Sequence, residues 1–286
     1  MTRFLLLAAV IAGGTSRAHA QHASADGDQR DTLRYREVAH TELQMYTPSG
    51  AKLMDLKRDA RIALVPGAGD TVHAWYEDLA LEVQSPQGVR QPNTASLLHQ
   101  RFLLRRDDRG RITTLQAPAV PDEVREFEDP SQQFTDFFPR LPAAALAPGL
   151  EWTDSLKHEV PNQDRSYRRY TVVTSYRVEK DSVAEGARVW VVSTSGFIWL
   201  ETADMARGRT IQSVSALSGA EAGRLLIDAG SRALVGRTRK GELNGRLTLT
   251  GPGAPAARDQ IYWFESTITP ATADVAASAA NSREEQ

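Results

Sequence analysis

Histidines are the side chains of this sequence best suited to metal binding or general-base chemistry, but their spacing favours neither. His73 and Glu77 are four residues apart, a spacing that would suit a metal pair on a helix. Both fall on a predicted strand, where side chains at this separation lie about 13 Å apart along the axis. The other candidates are isolated pairs: His40 with Glu42, and His158 with Glu159. We therefore predict no metal site and no cofactor.

Serine nucleophiles and phosphate-binding loops have no support in the sequence motifs. Ser195-Gly196 and Ser218-Gly219 lack the leading glycine of a Gly-x-Ser-x-Gly elbow, and every histidine lies upstream of both. The segment 236–241 has the wrong order for a phosphate-binding loop and is typical of a charged hairpin turn. Paired acids such as Asp122 with Glu123 are typical of a helix start. We predict no catalytic residue and no enzymatic activity; a hydrolase, the third hypothesis, would need His40, His73 or His158 beside carboxylates in a cleft.

The N-terminal residues carry the pattern of a cleaved export signal. Arg3 supplies a positive charge, Phe4–Ala12 is a short apolar run, and Ala18-His19-Ala20 matches the small-x-small pattern read by signal peptidase. The apolar run is about half of the roughly 20 residues that span a bilayer. We therefore expect cleavage between Ala20 and Gln21, and an exported soluble protein in the periplasm or outside the cell.

Composition excludes several classes of function. The chain contains no cysteine, which excludes disulfides, thiolate metal ligands, a cysteine nucleophile and lipid attachment at the cleavage site. The formal net charge of −2 gives no electrostatic footprint for nucleic acid. The expected partners are an apolar small molecule or lipid, or a protein of the cell envelope, with no nucleic acid and no transmembrane segment in the mature chain.

A period of two, typical of half-buried antiparallel strands, dominates residues 32–118. Apolar residues occupy even positions in the first clear run: Met54, Leu56, Ala60, Ile62 and Leu64. They occupy odd positions in the next: Thr71, Trp75, Leu79, Leu81 and Val83. The segment 66–70 is a turn between them, and 101–106 with 111–115 predicts a hairpin around the turn 107–110. This half is predicted to be a β-meander.

The middle of the chain, residues 119–152, predicts a short helix and a proline-rich connection. Pro121 and Pro130 stand at two helix-start signals. Phe134, Phe137 and Phe138 follow at i, i+3 and i+4, which predicts one apolar helix face packed on a sheet. Residues 141–152 read as an extended connection between two halves.

Residues 153–268 return to a period of two. One strand face is predicted to carry Arg168, Tyr170, Val172, Thr174, Tyr176 and Val178, and the chain turns at 184–186. The further predicted strands are 188–194, 224–227, 232–239, 243–249 and 260–267. Residues 21–31 are expected to be a flexible lead-in and 269–286 a disordered tail.

Together these patterns predict a mainly β fold of antiparallel meanders, pseudo-duplicated into a curved sheet or half-barrel, with a short central helical segment. LLRRDDRGRI in the first half and LLIDAGSRAL in the second suggest the duplication. Aromatic residues in such a sheet either form ordinary core or line a trough for an apolar or glycan ligand. The predicted ligand-lining residues are Trp75, Trp190, Trp199, Phe134 and Phe138.

The segment FFPRLPAAALAPGLEW, residues 137–152, resembles secreted bacterial proteins of unknown function in which an aromatic-proline run and a Pro-Gly-x-x-Trp joint connect two meanders. The order of long strands and helices also resembles the periplasmic lipoprotein carriers and related lipid-binding half-barrels. In those proteins a curved sheet holds an acyl chain against a helical lid. This architectural resemblance implies lipid-like binding and transfers no residue.

The sequence leaves three hypotheses about function open, since no motif in it fixes an activity. The first is non-catalytic binding of an apolar or amphipathic ligand in the envelope, which requires a concave surface lined by apolar side chains. The second is a structural or protein-interaction module, which requires a flat apolar patch or an exposed edge strand. The third is the hydrolase described above.

Overall fold

The computed structural model describes residues 32–45, 51–128, 130–161, 167–184, 186–205, 212–251 and 256–271. The predicted signal sequence, the cleavage position between Ala20 and Gln21, the lead-in 21–31 and residues 272–286 of the predicted tail lie outside them. The described part is mainly β, and its antiparallel strands form one curved, unclosed sheet, as predicted.

The twelve strands of the described residues form a single sheet. They are β1 (Leu33–Met45), β2 (Ala51–Pro66), β3 (Thr71–Ser85), β4 (Gly88–Arg90), β5 (Phe102–Arg106), β6 (Ile112–Gln116), β7 (Glu151–Pro161), β8 (Tyr167–Ala184), β9 (Ala187–Met205), β10 (Gln212–Asp228), β11 (Leu234–Thr250) and β12 (Arg258–Pro270). Their order across the sheet is β6-β5-β3-β2-β1-β12-β11-β10-β9-β8-β7, with β4 paired to β3. The expected tail start is wrong at residues 269 and 270, which belong to β12.

Several predicted hairpins are confirmed. The turn at 66–70 joins β2 to β3, and the turn around Asp107 joins β5 to β6. Asp107 builds that turn, because its carboxylate accepts hydrogen bonds from the backbone N–H groups of Arg109 and Arg111, each at 2.9 Å. The predicted face of β8 is also confirmed, since Val172, Thr174 and Val178 are buried.

Strand β3 differs from the predicted pattern because it contains a bulge. Glu77 is an extra residue between Tyr76 and Asp78, which pair with consecutive residues of β2. One extra residue shifts the parity of the side chains that follow it. The inner face of β3 therefore carries Val72, Ala74, Tyr76, Leu79, Leu81 and Val83. The prediction that Thr71 and Trp75 share that face is wrong.

Strands β9, β10 and β11 are longer than predicted. The expected hairpin turn at 236–241 is wrong, because these residues lie inside β11. The predicted strands 188–194 and 224–227 are only parts of β9 and β10. Glycine and serine interrupt the apolar alternation in these strands, so a pattern based on apolar residues ends too early.

Glycines of these strands allow neighbouring backbones to approach closely on the inner face of the sheet. Register places five of them on its inner face: Gly196, Gly219, Gly223, Gly241 and Gly245. A Cβ on Gly219 would lie 2.0 Å from the carbonyl oxygen of Glu242, and one on Gly245 would lie 1.8 Å from that of Ala216. The neighbouring backbones therefore approach more closely on this face than any side chain allows.

The two halves of the chain join through β1 and β12, which pair over residues 35–45 and 260–270. Contacts between strands that are not neighbours show that the sheet curls. The hydroxyl of Tyr35 in β1 donates to the carbonyl of Leu234 in β11 at 2.8 Å. Burial raises the pKa of Tyr35 to about 12, so this hydroxyl keeps its proton.

The two edge strands of the sheet also approach each other. Arg111, beside β6, forms an ion pair with Asp154 of β7. The same guanidinium donates to the carbonyl of Ser155 at 3.2 Å. Side chains of the two edge strands of the sheet therefore reach each other, and the sheet wraps around a concave inner face.

The central helical segment fills one end of this concave face. It contains α1 (Asp122–Arg125), α2 (Pro130–Gln133) and a 3₁₀ turn, Phe134–Asp136. Both proline helix-start signals are confirmed, since Pro121 caps α1 and Pro130 opens α2. Phe134 and Phe137 are fully buried, and the Phe134 ring centroid lies 4.9 Å from that of Phe102. The phenylalanine stripe therefore packs on the sheet, as predicted.

The proline-rich connection after the helical segment closes this end of the molecule. The backbone N–H of Leu141 donates to the carbonyl of Arg109 at 2.8 Å. The Arg109 guanidinium donates in turn to the carbonyl of Leu141 at 2.9 Å. Arg232, in the β10–β11 turn, donates to the carbonyl of Pro142. Two hairpin turns thus hold the connection in place.

Among the helices of the described ranges, none is long and apolar enough to cross a membrane.

Candidate functional site

A cavity of about 690 Å³ lies on the concave face, next to the helical segment. Its walls come from β1, β2 and β7–β12, and residues 125–136 contribute one side. Because alternate residues of each strand point inward, the same parity that builds the core also builds this wall. The cavity is therefore built by eight strands of the sheet and not by one hairpin.

Part of the cavity wall is apolar. We call it the apolar belt, and its members are Leu43, Met54, Leu56, Leu156, Ile198, Leu200, Leu217, Leu243 and Leu247. Cross-strand pairing assembles it, since Leu200 of β9 stands directly opposite Leu217 of β10. Tyr262 and Phe264 of β12 extend the belt, with ring centroids 6.1 Å apart. Such a surface binds apolar groups by removing them from water.

The cavity bottom is built of ion pairs, which we call the charged floor. Its members are Glu37, Arg58, Glu128, Asp136, Glu221, Arg237 and Arg239. Arg58 of β2 bonds to Glu37 of β1 at 3.0 Å and to Glu128 of the helical segment. Gln133 donates to Glu37, whose side chain is only 2% exposed. A carboxylate this deeply buried requires such partners.

The other half of the charged floor centres on Arg239 of β11. Its guanidinium bonds to Asp136, to Glu221 and, at 2.8 Å, to the hydroxyl of Tyr170. Glu221 also accepts a hydrogen bond from Thr174 at 3.1 Å. The floor thus ties β1, β2, β8, β10 and β11 to the helical segment through charged hydrogen bonds.

Glycines make room for this network. Glu221 stands between Gly196 on one neighbouring strand and Gly241 on the other. A Cβ on Gly196 would lie 2.7 Å from Oε1 of Glu221, and one on Gly241 would lie 2.7 Å from the Phe264 ring. The glycines that allow curvature therefore also leave space for a buried carboxylate and a cavity-lining ring.

Two arginines of the charged floor have pKa values raised by their neighbours. Burial lowers the pKa of Arg58, but the carboxylates of Glu128 and Glu37 outweigh it and raise the pKa above its usual value. Burial likewise lowers the pKa of Arg239, but its neighbours outweigh this effect and raise the pKa well above its usual value, Asp136 contributing most. Both arginines therefore remain protonated at neutral pH.

The structure places the five predicted ligand-lining residues elsewhere than in this cavity. Trp75 and Trp199 lie on the convex face. Trp190 faces inward but packs on the core near the end of the sheet, with the Arg188 guanidinium 5.3 Å from its ring centroid. Phe134 is fully buried in the core, and Phe138 borders a second cavity of about 60 Å³ at the closed end.

The residues that sequence reasoning missed are the inward-facing charges. Arg58 occupies an even position in the run 54–64, where the other even positions are apolar. Glu221 lies between Gly219 and Gly223 with the same parity. The available signal was a charged residue at a position whose parity matches the buried residues of its strand, because such a side chain must find a buried partner. The partners come from distant strands and could not be named from the sequence.

The convex face carries one group of metal-ligand types among the described residues. Ligand atoms of His40, Glu42 and Asp55 lie within 4.8 Å of one another, so the expectation that His40 and Glu42 are isolated is wrong. The His40 Nε2 is 2.8 Å from Asp55. The ammonium of Lys52 lies 2.9 Å from Glu42 and 2.5 Å from Asp55. This lysine already pairs with both carboxylates, so the group is an ion-pair cluster.

No protein-family model matches the chain, and no curated protein matches its sequence. Among solved structures, a BenF-like porin from Pseudomonas fluorescens Pf-5 is 8% identical, with a TM-score of 0.21, over 86% of this chain and 100% of that chain. Pseudomonas aeruginosa OccK2 (OpdF) is 10% identical, with a TM-score of 0.20, over 86% of this chain and 99% of that chain. At these TM-scores neither likeness carries an argument about fold or function.

Proposed function

We propose that this protein binds an apolar or amphipathic, lipid-like molecule in the concave cavity, without catalysis. The observation that carries the proposal is the apolar belt around a cavity of about 690 Å³. Sites for small molecules usually enclose roughly 300–1,000 Å³ and combine apolar walls with a few placed polar groups. The belt and the charged floor together have this composition.

The driving force for such binding is the transfer of methylene groups from water to the belt. Each buried methylene contributes about 0.8 kcal/mol, so a chain of several methylenes gains several kcal/mol. Leu200 and Leu217 line the cavity and are already buried among their neighbours, which restricts their side chains before a ligand arrives. A preformed wall lowers the entropy cost of binding.

The proposal includes an exported, envelope location, supported by the N-terminal sequence pattern ending at Ala20. Fractionation of cells that produce the full chain, followed by mass spectrometry of the mature N-terminus, tests it. We expect the protein outside the cytoplasm with Gln21 as its first residue. A cytoplasmic protein that retains Met1 would contradict this part of the proposal.

Binding is tested by titrating the full chain with N-phenyl-1-naphthylamine, a dye that fluoresces in apolar surroundings. We expect saturable enhancement in the wild type and its loss in Leu217→Trp, which fills the belt. Ala216→Trp is the matched control, because the neighbouring side chain is exposed on the convex face. Equal dye binding by wild type and Leu217→Trp would contradict binding in the cavity.

A structural or protein-interaction module is the second candidate, favoured by one observation on the convex face. Phe197 and Trp199 are 40% and 48% exposed, and their ring centroids are 4.5 Å apart. Sedimentation velocity over a range of concentrations tests whether they join copies of this chain. Self-association that disappears in Phe197→Ser/Trp199→Ser would favour this function, and a concentration-independent monomer would count against it.

A further inference from the structure

Polar side chains form the end of the cavity that lies away from the helical segment. We call them the polar rim, and its members are Arg168, Thr202, Ser213, Ser215 and Gln260. Strand pairing brings them together, because Thr202 of β9 stands directly opposite Arg168 of β8 on one side and Ser215 of β10 on the other. Directly opposite side chains on one face of a sheet have Cβ atoms about 5 Å apart. The rim is therefore a continuous polar edge above the apolar belt.

The rim, the belt and the charged floor follow one another along the strands. On β10 the inward-facing residues run from Ser215 of the rim through Leu217 of the belt to Glu221 of the floor. On β9 Thr202 of the rim is followed by Leu200 of the belt. The six residues of extended strand from Ser215 to Glu221 correspond to about 20 Å. The belt thus separates two polar ends of different composition.

Arg168 differs from the other arginines of the cavity because it has no counter-ion. Its side chain is exposed, and no hydrogen bond or ion pair joins it to any residue in the described ranges. Four more arginines line the cavity, and each lies within ion-pair distance of a carboxylate: Arg58, Arg125, Arg237 and Arg239. A carboxylate that enters the cavity therefore meets an unpaired positive charge at the rim.

The neighbours of Arg168 on the polar rim add hydrogen-bond donors. The hydroxyls of Thr202 and Ser213 have no partner within the described part of the chain. The hydroxyl of Ser215 donates to Oε1 of Gln260 at 2.7 Å, and Gln260 is buried, so this side of the rim is held in place. A guanidinium presents paired N–H donors that match the two oxygens of a carboxylate. One free guanidinium beside two free hydroxyls suits a small anionic group.

Resting on the function proposed above, we infer that the ligand is an amphiphile of the fatty-acid type with an anionic head group. Its carboxylate pairs with Arg168 at the polar rim, and its alkyl tail lies against the apolar belt. Because Arg168 is exposed, the head group keeps part of its water, which lowers the cost of desolvation. In the charged floor the same head group would compete with carboxylates that already pair with Arg58 and Arg239.

Three probes with the same alkyl chain test the charge of the head group: dodecanoate, dodecanol and dodecylamine. Displacement of N-phenyl-1-naphthylamine from the full chain at neutral pH, below the concentrations that form micelles, measures their affinities. We expect dodecanoate to bind about five- to tenfold more tightly than dodecanol, and dodecylamine to bind most weakly. Dodecanol or dodecylamine binding as tightly as dodecanoate would overturn the inference and leave the proposed function standing. Failure of all three probes would overturn both.

Arg168→Gln tests whether the head group meets the polar rim. Dodecanoate should bind this variant only about as tightly as dodecanol, whose own affinity stays unchanged because the belt is intact. Arg168→Glu should reverse the order, so that dodecylamine binds more tightly than dodecanoate.

Arg169→Gln is the matched control, because Arg169 lies on the convex face and pairs there with Glu159 and Glu201. It should leave the preference for dodecanoate unchanged. An unchanged preference in both Arg168 variants would place the head group elsewhere and refute the inference. An equal loss of dodecanol affinity in Arg168→Gln would refute it as well, since the arginine would then only support the cavity.

Discussion

Removing Arg58 should destabilise the protein far more than removing an arginine on the convex face. Arg58→Met leaves Glu37 and Glu128 without their shared cation, and the side chain of Glu37 is almost completely buried. Breaking a buried ion pair by removing one partner costs about 3–5 kcal/mol. Glu37 keeps its hydrogen bond from Gln133 and lies 3.8 Å from Arg237, so we expect the lower end, about 3 kcal/mol.

Thermal and urea unfolding measure this loss. For a chain of this size, 1 kcal/mol corresponds to roughly 2–4 °C, so the Tm should fall by about 6–12 °C. Arg36→Met is the control, because the Arg36–Asp59 pair on the convex face is exposed to solvent and screened. Adding Glu37→Gln to Arg58→Met should recover part of the loss, since it removes the uncompensated charge. A Tm for Arg58→Met no lower than that of Arg36→Met would refute the role given to the charged floor.

Three further predictions concern other parts of the sheet. Gly241→Ala should cost about 1–3 kcal/mol in urea unfolding, because its Cβ would press on the Phe264 ring; an unchanged midpoint would contradict the packing. Phe134→Ala should cost about 3–5 kcal/mol by leaving a cavity in the core, and a loss below 1 kcal/mol would argue against its burial. Burial raises the pKa of Asp55, but hydrogen bonding, first from Lys52, outweighs it and lowers the pKa on balance. The ionised Asp55 therefore stabilises the fold above about pH 4, and this contribution to the unfolding free energy is lost as the pH falls further. In Lys52→Met the fall in unfolding free energy between pH 5 and about pH 3 should be smaller than in the wild type, and an equal fall would contradict the coupling.

Much of the fold could be predicted from local patterns. The Asp107 turn, the proline helix starts and the phenylalanine stripe each depend on neighbouring residues, and all were confirmed. The parity of β3 could not be predicted, because the bulge at Glu77 depends on pairing with β2. The full lengths of β9–β11 were hidden because glycine and serine carry little strand signal.

The cavity was harder to predict than the strands that build it. Aromatic residues were the expected lining, yet Trp75 and Trp199 face the convex side. The belt consists mainly of leucines, which look like ordinary core in a sequence. The charged floor joins residues such as Glu37 and Arg237 that are two hundred positions apart. The pairing of β1 with β12, which joins the two halves into one sheet, brings these residues together.

Photocrosslinking shows where on the protein the ligand binds, and so tests whether it enters the concave cavity. The full chain is incubated with a diazirine analogue of hexadecanol, irradiated, digested and mapped by mass spectrometry. We expect one label per chain, on inward-facing residues of the apolar belt such as Ile198, Leu217 and Leu243, and competition by unlabelled hexadecanol. Labelling confined to Phe197, Trp199 and other convex-face residues would contradict binding in the cavity.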